Sequence, residues 1–161
     1  MLQQVCEHIH NYFIPKDNGK PRVWQGDYTI ASGVISPAPP LKQGQCFLIA
    51  GSDMNDGVYT YYADAIMNDD NSAVSGLRDE VFSGSIAAMS VPPAVMALVG
   101  EISEWEAKYG ENVLSPYSSE TVNGVYSYTK AVKASDNGGG GAYSWQDVYK
   151  NRLDQWRKPC L

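Results

Sequence analysis

The sequence predicts an α+β fold, in which a small three-helix core carries an inserted antiparallel β-sheet or barrel module and an extended arm. Three observations support it. Segments with helical apolar spacing lie near the start of the chain, after its middle and near its end. Short runs rich in β-branched and aromatic residues fill residues 22–90, between the first two helices. A polar stretch with tyrosines and a glycine run separate the second helix from the third.

The first helix is predicted over residues 2–14, where Pro15 ends it. Its apolar positions recur at helical spacing and are Leu2, Val5, Ile9 and Phe13. The β module follows as the runs VWQGDYTI, QCFLIAG, GVYTYYA and EVFSGSIAAM, which predict four or five strands. The turn segments SPAPP, SDMNDG and NDDNSAVSG separate them, and Asp56-Gly57 is a dipeptide typical of a hairpin.

The second helix is predicted over residues 92–109. Pro92 and Pro93 suit a first helical turn, where the missing N–H would have no helical partner, and Gly110 predicts the end. One apolar stripe runs along it: Val95, Leu98, Val99, Ile102, Trp105 and Tyr109.

The arm is predicted over residues 115–143, as SPYSSETVNGVYSYTKA followed by a glycine-rich linker. In an extended conformation Tyr126 and Tyr128 share one face. Two interpretations fit this pattern equally well: a strand that adds to a neighbouring subunit, or a hairpin within the chain that turns at Asn123-Gly124.

The third helix begins at Ser144, a residue suited to capping, and ends near Arg157-Lys158-Pro159. The whole chain, residues 1–161, is predicted to be one domain. Its helical core spans residues 1–15 and 90–158, and the β module is inserted at 22–90.

Composition narrows the function classes. The chain has 161 residues, a formal net charge of −6 and three cysteines without metal-site or disulfide spacing. An acidic chain lacks the basic footprint that non-specific nucleic-acid binding needs. No signal peptide or membrane-spanning run is visible, which predicts a soluble protein made in a cytoplasm.

No motif in the chain points to catalysis. His8 and His10 are two residues apart, so they lie on different faces of a helix and make a poor metal pair. SDMNDG departs from the spacing of a calcium loop, and GGGG lacks the lysine of a phosphate-binding loop. Glu101, Glu104 and Glu106 suit a solvated helix face better than an acid pair. The prediction is a protein that is not an enzyme, with no metal and no cofactor.

The arm and its flanking helices resemble the head–tail connector (adaptor or head-completion) proteins of tailed bacteriophages. That family carries the pattern Ser-Glu-x-x-Gly-x-Tyr-Ser-x-Ser-Tyr before a last helix with a basic end. The matching positions are Ser119, Glu120, Gly124, Tyr126 and Ser127. The glycine falls one position late under strict spacing, and Tyr128 comes earlier than the second tyrosine of the family. The match covers residues 1–14 and 90–158, and the β module departs from the plain helical versions.

The resemblance implies a structural virion protein in the phage neck. It implies a homo-oligomeric ring, usually of twelve subunits, that binds the portal protein, extends the DNA channel and receives the next neck or tail component. DNA would pass through without specific binding, and no membrane is involved. The expected subunit or portal contacts are Tyr117, Ser119, Glu120, Gly124, Tyr126, Ser127, Tyr128, Arg157 and Lys158.

Two other functions stay open. One is a different neck ring or a tail terminator. The other is a non-enzymatic module in which the β insert binds a peptide or glycan, through the tyrosines at 59–62.

Overall fold

The computed structural model describes residues 1–62, 66–68, 77–114, 119–122, 126–129 and 144–158. The helices in this part of the chain are α1 (Leu2–His8), α2 (Pro93–Leu114), α3 (Trp145–Val148) and α4 (Lys150–Asp154). The strands are β1 (Lys16–Asp17), β2 (Lys20–Pro21), β3 (Val23–Ala31), β4 (Val34–Ser36), β5 (Gln45–Ala50), β6 (Gly57–Tyr61), β7 (Met67–Asn68), β8 (Glu80–Ala88), β9 (Ser119–Val122) and β10 (Tyr126–Thr129).

The chain divides into two compact units. The first comprises Met1–Met96 and Lys158–Leu161, and the second comprises Ala97–Arg157. The first unit therefore contains α1 and strands β1 to β8. The second contains most of α2, the hairpin of β9 and β10, and the two short helices α3 and α4.

A six-stranded antiparallel sheet is the centre of the first unit, with the strand order β4-β3-β8-β5-β6-β7. Its longest ladder joins β3 to β8 without a break, from the pair Val23 and Ala87 to the pair Ile30 and Glu80. Strands β4 and β7 are the two edges in the described part of the chain, so the sheet there is open and not closed into a barrel.

One face of this sheet carries the hydrophobic core of the first unit. On β3, buried Tyr28 and Ile30 alternate with exposed Asp27 and Thr29, as expected for a strand with one buried face. The buried members of the cluster are Tyr28, Ile30, Ile35, Phe47, Ile49, Ile66, Leu77, Phe82 and Ile86. The Tyr28 and Phe82 rings stack across the strands with centroids 5.5 Å apart. The sheet, and not a helix bundle, therefore organises the main core.

The predicted three-helix core is wrong. Helix α1 is only seven residues long and belongs to the sheet unit, where the Gln3 side-chain oxygen accepts a hydrogen bond from the β6 amide of Val58 at 3.3 Å. The predicted third helix is two short pieces of four and five residues. Helices this short bury too little apolar surface to form a bundle, whereas the alternating strands supply a continuous buried face.

The ends of the helices also differ from the prediction, for local reasons. The first helix stops before residue 14 because His10 and Phe13 have positive φ values of 53° and 51°, which a right-handed helix excludes. Helix α2 continues through Gly110 to Leu114, since one glycine weakens a helix without ending it. Tyr149, with φ −99° and ψ 6°, separates α3 from α4.

The four predicted apolar runs coincide with β3, β5, β6 and β8. The sequence SDMNDG lies in the connection between β5 and β6, which pair as a hairpin. Asp56-Gly57 does not form a two-residue turn there, because the loop spans residues 51–56 and Gly57 begins β6. Short β1, β2, β4 and β7 were not predicted, since two or three residues carry no periodic signal.

Candidate assembly surface

The arm forms a hairpin of its own. Strands β9 and β10 pair antiparallel, with Tyr126 opposite Val122 and Tyr128 opposite Glu120. Of the two interpretations open for this stretch, the structure therefore has the hairpin within the chain. The residues that connect the strands, 123–125, lie outside the described part, so the predicted turn at Asn123-Gly124 stays a prediction.

The hairpin is a separate two-stranded sheet. In the described part of the chain, neither β9 nor β10 pairs with a third strand, and the six-stranded sheet contains neither of them. Each strand therefore has one unpaired edge of backbone N–H and C=O groups. A two-stranded hairpin is marginally stable in water, and a third strand or a packing partner normally stabilises it.

The predicted contact residues divide among several places. Five of them, Ser119, Glu120, Tyr126, Ser127 and Tyr128, lie in the hairpin strands. Tyr117, Gly124 and the glycine linker fall outside the described residues. Near the end of the chain, Arg157 forms an ion pair with Asp154 at 3.1 Å, and the Lys158 amide donates to the Ile9 carbonyl at 3.1 Å. Lys158 thus belongs to the sheet unit, and the hairpin belongs to the other.

The loop between β5 and β6 contains a polar cluster that the sequence did not predict. The side chain of buried Asn55 bridges to β8: its nitrogen donates to Glu80 at 2.7 Å and to the Arg78 carbonyl, and its oxygen accepts from the Arg78 amide at 2.7 Å. The Ser52 hydroxyl donates to Glu80 at 2.5 Å and accepts from the Asn55 amide at 2.7 Å. The Ser-x-x-Asn spacing within SDMNDG is a turn signal that could have indicated it.

These bonds affect the charge of Glu80. The Ser52 hydroxyl first, and then the Asp53 amide and the Asn55 side chain, hold the pKa of the Glu80 carboxyl below its ordinary value, against an opposing effect of partial burial. In the described residues, no buried side-chain nitrogen or oxygen lacks a hydrogen-bond partner. The cluster therefore fixes the loop against β8.

A cleft of about 620 Å³ lies in the sheet unit. Its lining includes two cations, Arg22 and Lys42, together with Cys46, Met89 and Met96. Arg22 is already paired, since its Nη2 lies 2.6 Å from an Asp17 carboxylate oxygen. The cleft thus offers one cation, Lys42, that has no ion pair with the described residues, which is a weak basis for binding an anion.

The tyrosines of the alternative binding module are partly used by the core. Tyr59 and Tyr61 pack against the hydrophobic cluster, with ring centroids 5.8 Å and 6.4 Å from that of Phe47. The Tyr59 hydroxyl donates to the Asn55 carbonyl at 3.1 Å. These two rings support the sheet and the adjoining loop, and both stay half-buried.

The described residues contain neither a metal-binding cluster nor a membrane-spanning helix. No three of their His, Cys, Asp and Glu side chains are grouped so that they could hold a metal ion. None of the described helices has both the length and the apolar character that a membrane crossing needs. Comparisons of the chain with protein-family models, with curated proteins and with solved structures found no match.

Proposed function

We propose that the chain is a structural protein of a phage virion, a head–tail connector that forms a ring below the portal and joins head to tail. The observation that carries the proposal is the hairpin of β9 and β10, which pairs with no other strand in the described part of the chain. It holds most of the residues that resemble the connector motif, and each of its strands keeps an edge that no described strand pairs. A segment with this geometry suits contacts between subunits.

The charge of the chain supports the same function. A formal net charge of −6 makes the protein repel the phosphates of DNA. A ring that DNA must traverse benefits from such a surface, because the duplex slides and does not bind.

One finding favours a related function. The connector resemblance implies a helical core, but the main core of this chain lies on a six-stranded sheet. The resemblance therefore rests on the arm and the end of the chain. A different neck ring or a tail terminator is the second candidate, since it keeps the assembly role without requiring that helical core.

The test is electron microscopy of the purified protein, alone and mixed with the portal protein of the same phage. We expect rings that dock coaxially on the portal. Rings that form but bind at the tail end would favour the second candidate. A protein that stays monomeric at high concentration and binds neither portal nor tail components would refute both.

A further inference from the structure

Strand β3 has an open edge over its first half. Its pairing with β8 runs from Val23 to Ile30, but on the other side β4 covers only Thr29, Ile30 and Ala31. In the described part of the chain, no strand pairs with the β4-side edge over residues 23–27. On its β4 side, about half of β3 thus has no pairing strand among the described residues.

The direction of the backbone groups on β3 follows from the hydrogen bonds around it. The Ala88 amide donates to the Arg22 carbonyl at 3.1 Å, so Arg22 faces β8. In an antiparallel ladder the residues that face a given neighbour alternate. Consistently, the amide of Met89, the next residue, donates to Cys46 in the β5 segment at 2.9 Å.

It follows that the amides and carbonyls of Val23, Gln25 and Asp27 point away from β8, toward the open edge. No hydrogen bond from the described residues reaches these groups. Gln25 and Asp27 are also exposed residues, and Val23 is half-buried.

This edge lacks the usual protection against strand pairing. Natural edge strands commonly carry lysine, proline or a bulge, which block the approach of another strand. Residues 23–27, Val-Trp-Gln-Gly-Asp, contain no lysine or proline, and the pairing with β8 continues without a bulge. Gly26 adds no side chain there, and no atom lies within 4 Å of the position its Cβ would occupy.

The hairpin supplies a strand that matches this edge. Strands β9 and β10 have four residues each, and the open edge has five. The two strands differ in charge: β9 carries Glu120, whereas β10, Tyr-Ser-Tyr-Thr, carries none. In some registers β9 would set Glu120 beside Asp27, which is unfavourable for two carboxylates, whereas β10 brings no carboxylate in any register. Strand β10 avoids this repulsion.

We infer that the edge of β3 at Val23–Asp27 binds strand β10 of a second copy of this chain. The added strand extends the sheet by main-chain hydrogen bonds and gives the hairpin its third strand. Because the donor and acceptor segments are different surfaces, the contact is heterologous and can repeat around a ring. This inference deepens the proposed function and rests on it for the identity of the partner.

The first test changes one backbone donor. Gln25→Pro removes an N–H that faces the open edge, and proline is tolerated at such a position in a strand. Gln25→Ala keeps the N–H and is the matched control. We expect Gln25→Pro to weaken self-association by about tenfold or more in sedimentation velocity. Gln25→Ala should associate like the wild type, and both variants should show the wild-type circular dichroism spectrum.

The second test is hydrogen exchange at low and high protein concentration. We expect the amides of residues 23–27 and of Tyr126–Thr129 to gain protection together at high concentration. This joint protection should be absent in Gln25→Pro.

The possible failures are distinguishable. If rings form and Gln25→Pro forms them as well as the wild type, the strand contact is wrong but the proposed function stands. Protection of the two segments that is independent of concentration would mean that the hairpin binds its own chain, which overturns the inference. A wild-type protein that never associates, with or without portal, contradicts both.

Discussion

At the scale of single residues, two glycines opposite each other in the central ladder differ in the space around them. Gly26 on β3 pairs with Gly84 on β8. A methyl group at Gly84 would lie 2.5 Å from the Ala50 carbonyl oxygen, so β5 and β8 would have to separate. A methyl group at Gly26 meets nothing within 4 Å.

We therefore expect Gly84→Ala to lower the free energy of unfolding by about 1–3 kcal/mol, as overpacking does. Gly26→Ala should be neutral or stabilising by up to about 1 kcal/mol, because it reduces the freedom of the unfolded chain. Urea unfolding of both variants measures the difference. Equal losses in the two would mean that the close approach of β5 and β8 does not require glycine.

Asn55 is a second position where a small change has a large expected effect. Asn55→Ala leaves the Arg78 amide and carbonyl without their side-chain partner, in a place where Asn55 is fully buried. Unpaired buried groups cost about 1–3 kcal/mol each in stability, so thermal unfolding should shift to a clearly lower temperature. Asp53→Ala is the control, since Asp53 bonds to Glu80 through its backbone amide, which the substitution keeps. A similar loss in both variants would contradict the proposed role of the Asn55 side chain.

Glu80 makes the stability of the same cluster depend on pH. Its folded-state pKa lies below the ordinary value of 4.5, chiefly because of the Ser52 hydroxyl. A lowered pKa stabilises the fold above the unfolded-state pKa, and that contribution disappears as pH falls through the folded-state pKa. The wild type should thus have a higher urea midpoint than Glu80→Gln at pH 7, and this difference should shrink below about pH 4.5. An advantage that stays constant from neutral to acid pH would disprove this origin.

At the scale of elements, the strength of the sequence pattern decided which predictions were correct. Strands such as β3 and β8 were predictable because long runs rich in β-branched and aromatic residues, bounded by turn segments, give a clear signal. The length of α1 was not, since Ile9 and Phe13 continue the apolar spacing although the backbone leaves the helix. Ile9 is buried all the same. An apolar pattern indicates which residues are buried. It does not indicate backbone conformation, so it could not predict the positive φ of His10 that ends the helix.

The contact between α4 and α2 is an element-scale feature within the second unit. The two terminal guanidinium nitrogens of Arg152, Nη1 and Nη2, donate to the Glu101 carboxylate at 2.5 Å and 2.9 Å, and the Tyr149 hydroxyl donates to the Glu101 carbonyl. Both partners of the ion pair are about half exposed, with side-chain exposures of 50% and 47%, so solvent screens the interaction.

Arg152→Gln should accordingly lower the melting temperature by only about a few degrees at low salt, and less at high salt. Lys150→Gln is the matched control. It removes the same charge from the same helix, at an exposed position without an ion pair to the described residues. If both variants changed the melting temperature equally, net charge and not the paired geometry would explain the effect.

At the scale of the whole molecule, the candidate surface was only half predictable. The tyrosine alternation at Tyr126 and Tyr128 marked the donor strand, because a period of two is visible in one short segment. The acceptor edge at Val23–Asp27 was not predictable from the sequence. Whether a strand has an open edge depends on which strands pair with it, and the partner of this segment lies about sixty residues away in the chain. The sequence similarly could not show that the main core belongs to the sheet, since both helical stripes and strands offered apolar faces.

Net charge should control how well copies of this chain assemble. Each copy carries a formal charge of −6, so copies repel one another over roughly 10 Å at 0.1 M salt and only about 3 Å at 1 M. A contact made of main-chain hydrogen bonds loses little to screening, and Asp27 is the one charged residue in the two segments that form it. We therefore expect the association constant between copies to rise several-fold when sodium chloride is raised from 0.05 to 0.5 M. This is roughly the effect of screening one repulsive contact between charges.

Sedimentation velocity at the two salt concentrations measures this change. Glu104→Gln supplies an independent check, because it removes one exposed charge that has no ion pair with the described residues. It should raise association at low salt and leave it unchanged at high salt. Association that weakens as salt rises would instead indicate contacts between opposite charges, such as Arg157 with an acidic surface. It would then be attraction between charges, and not the pairing of backbone edges, that holds the copies together.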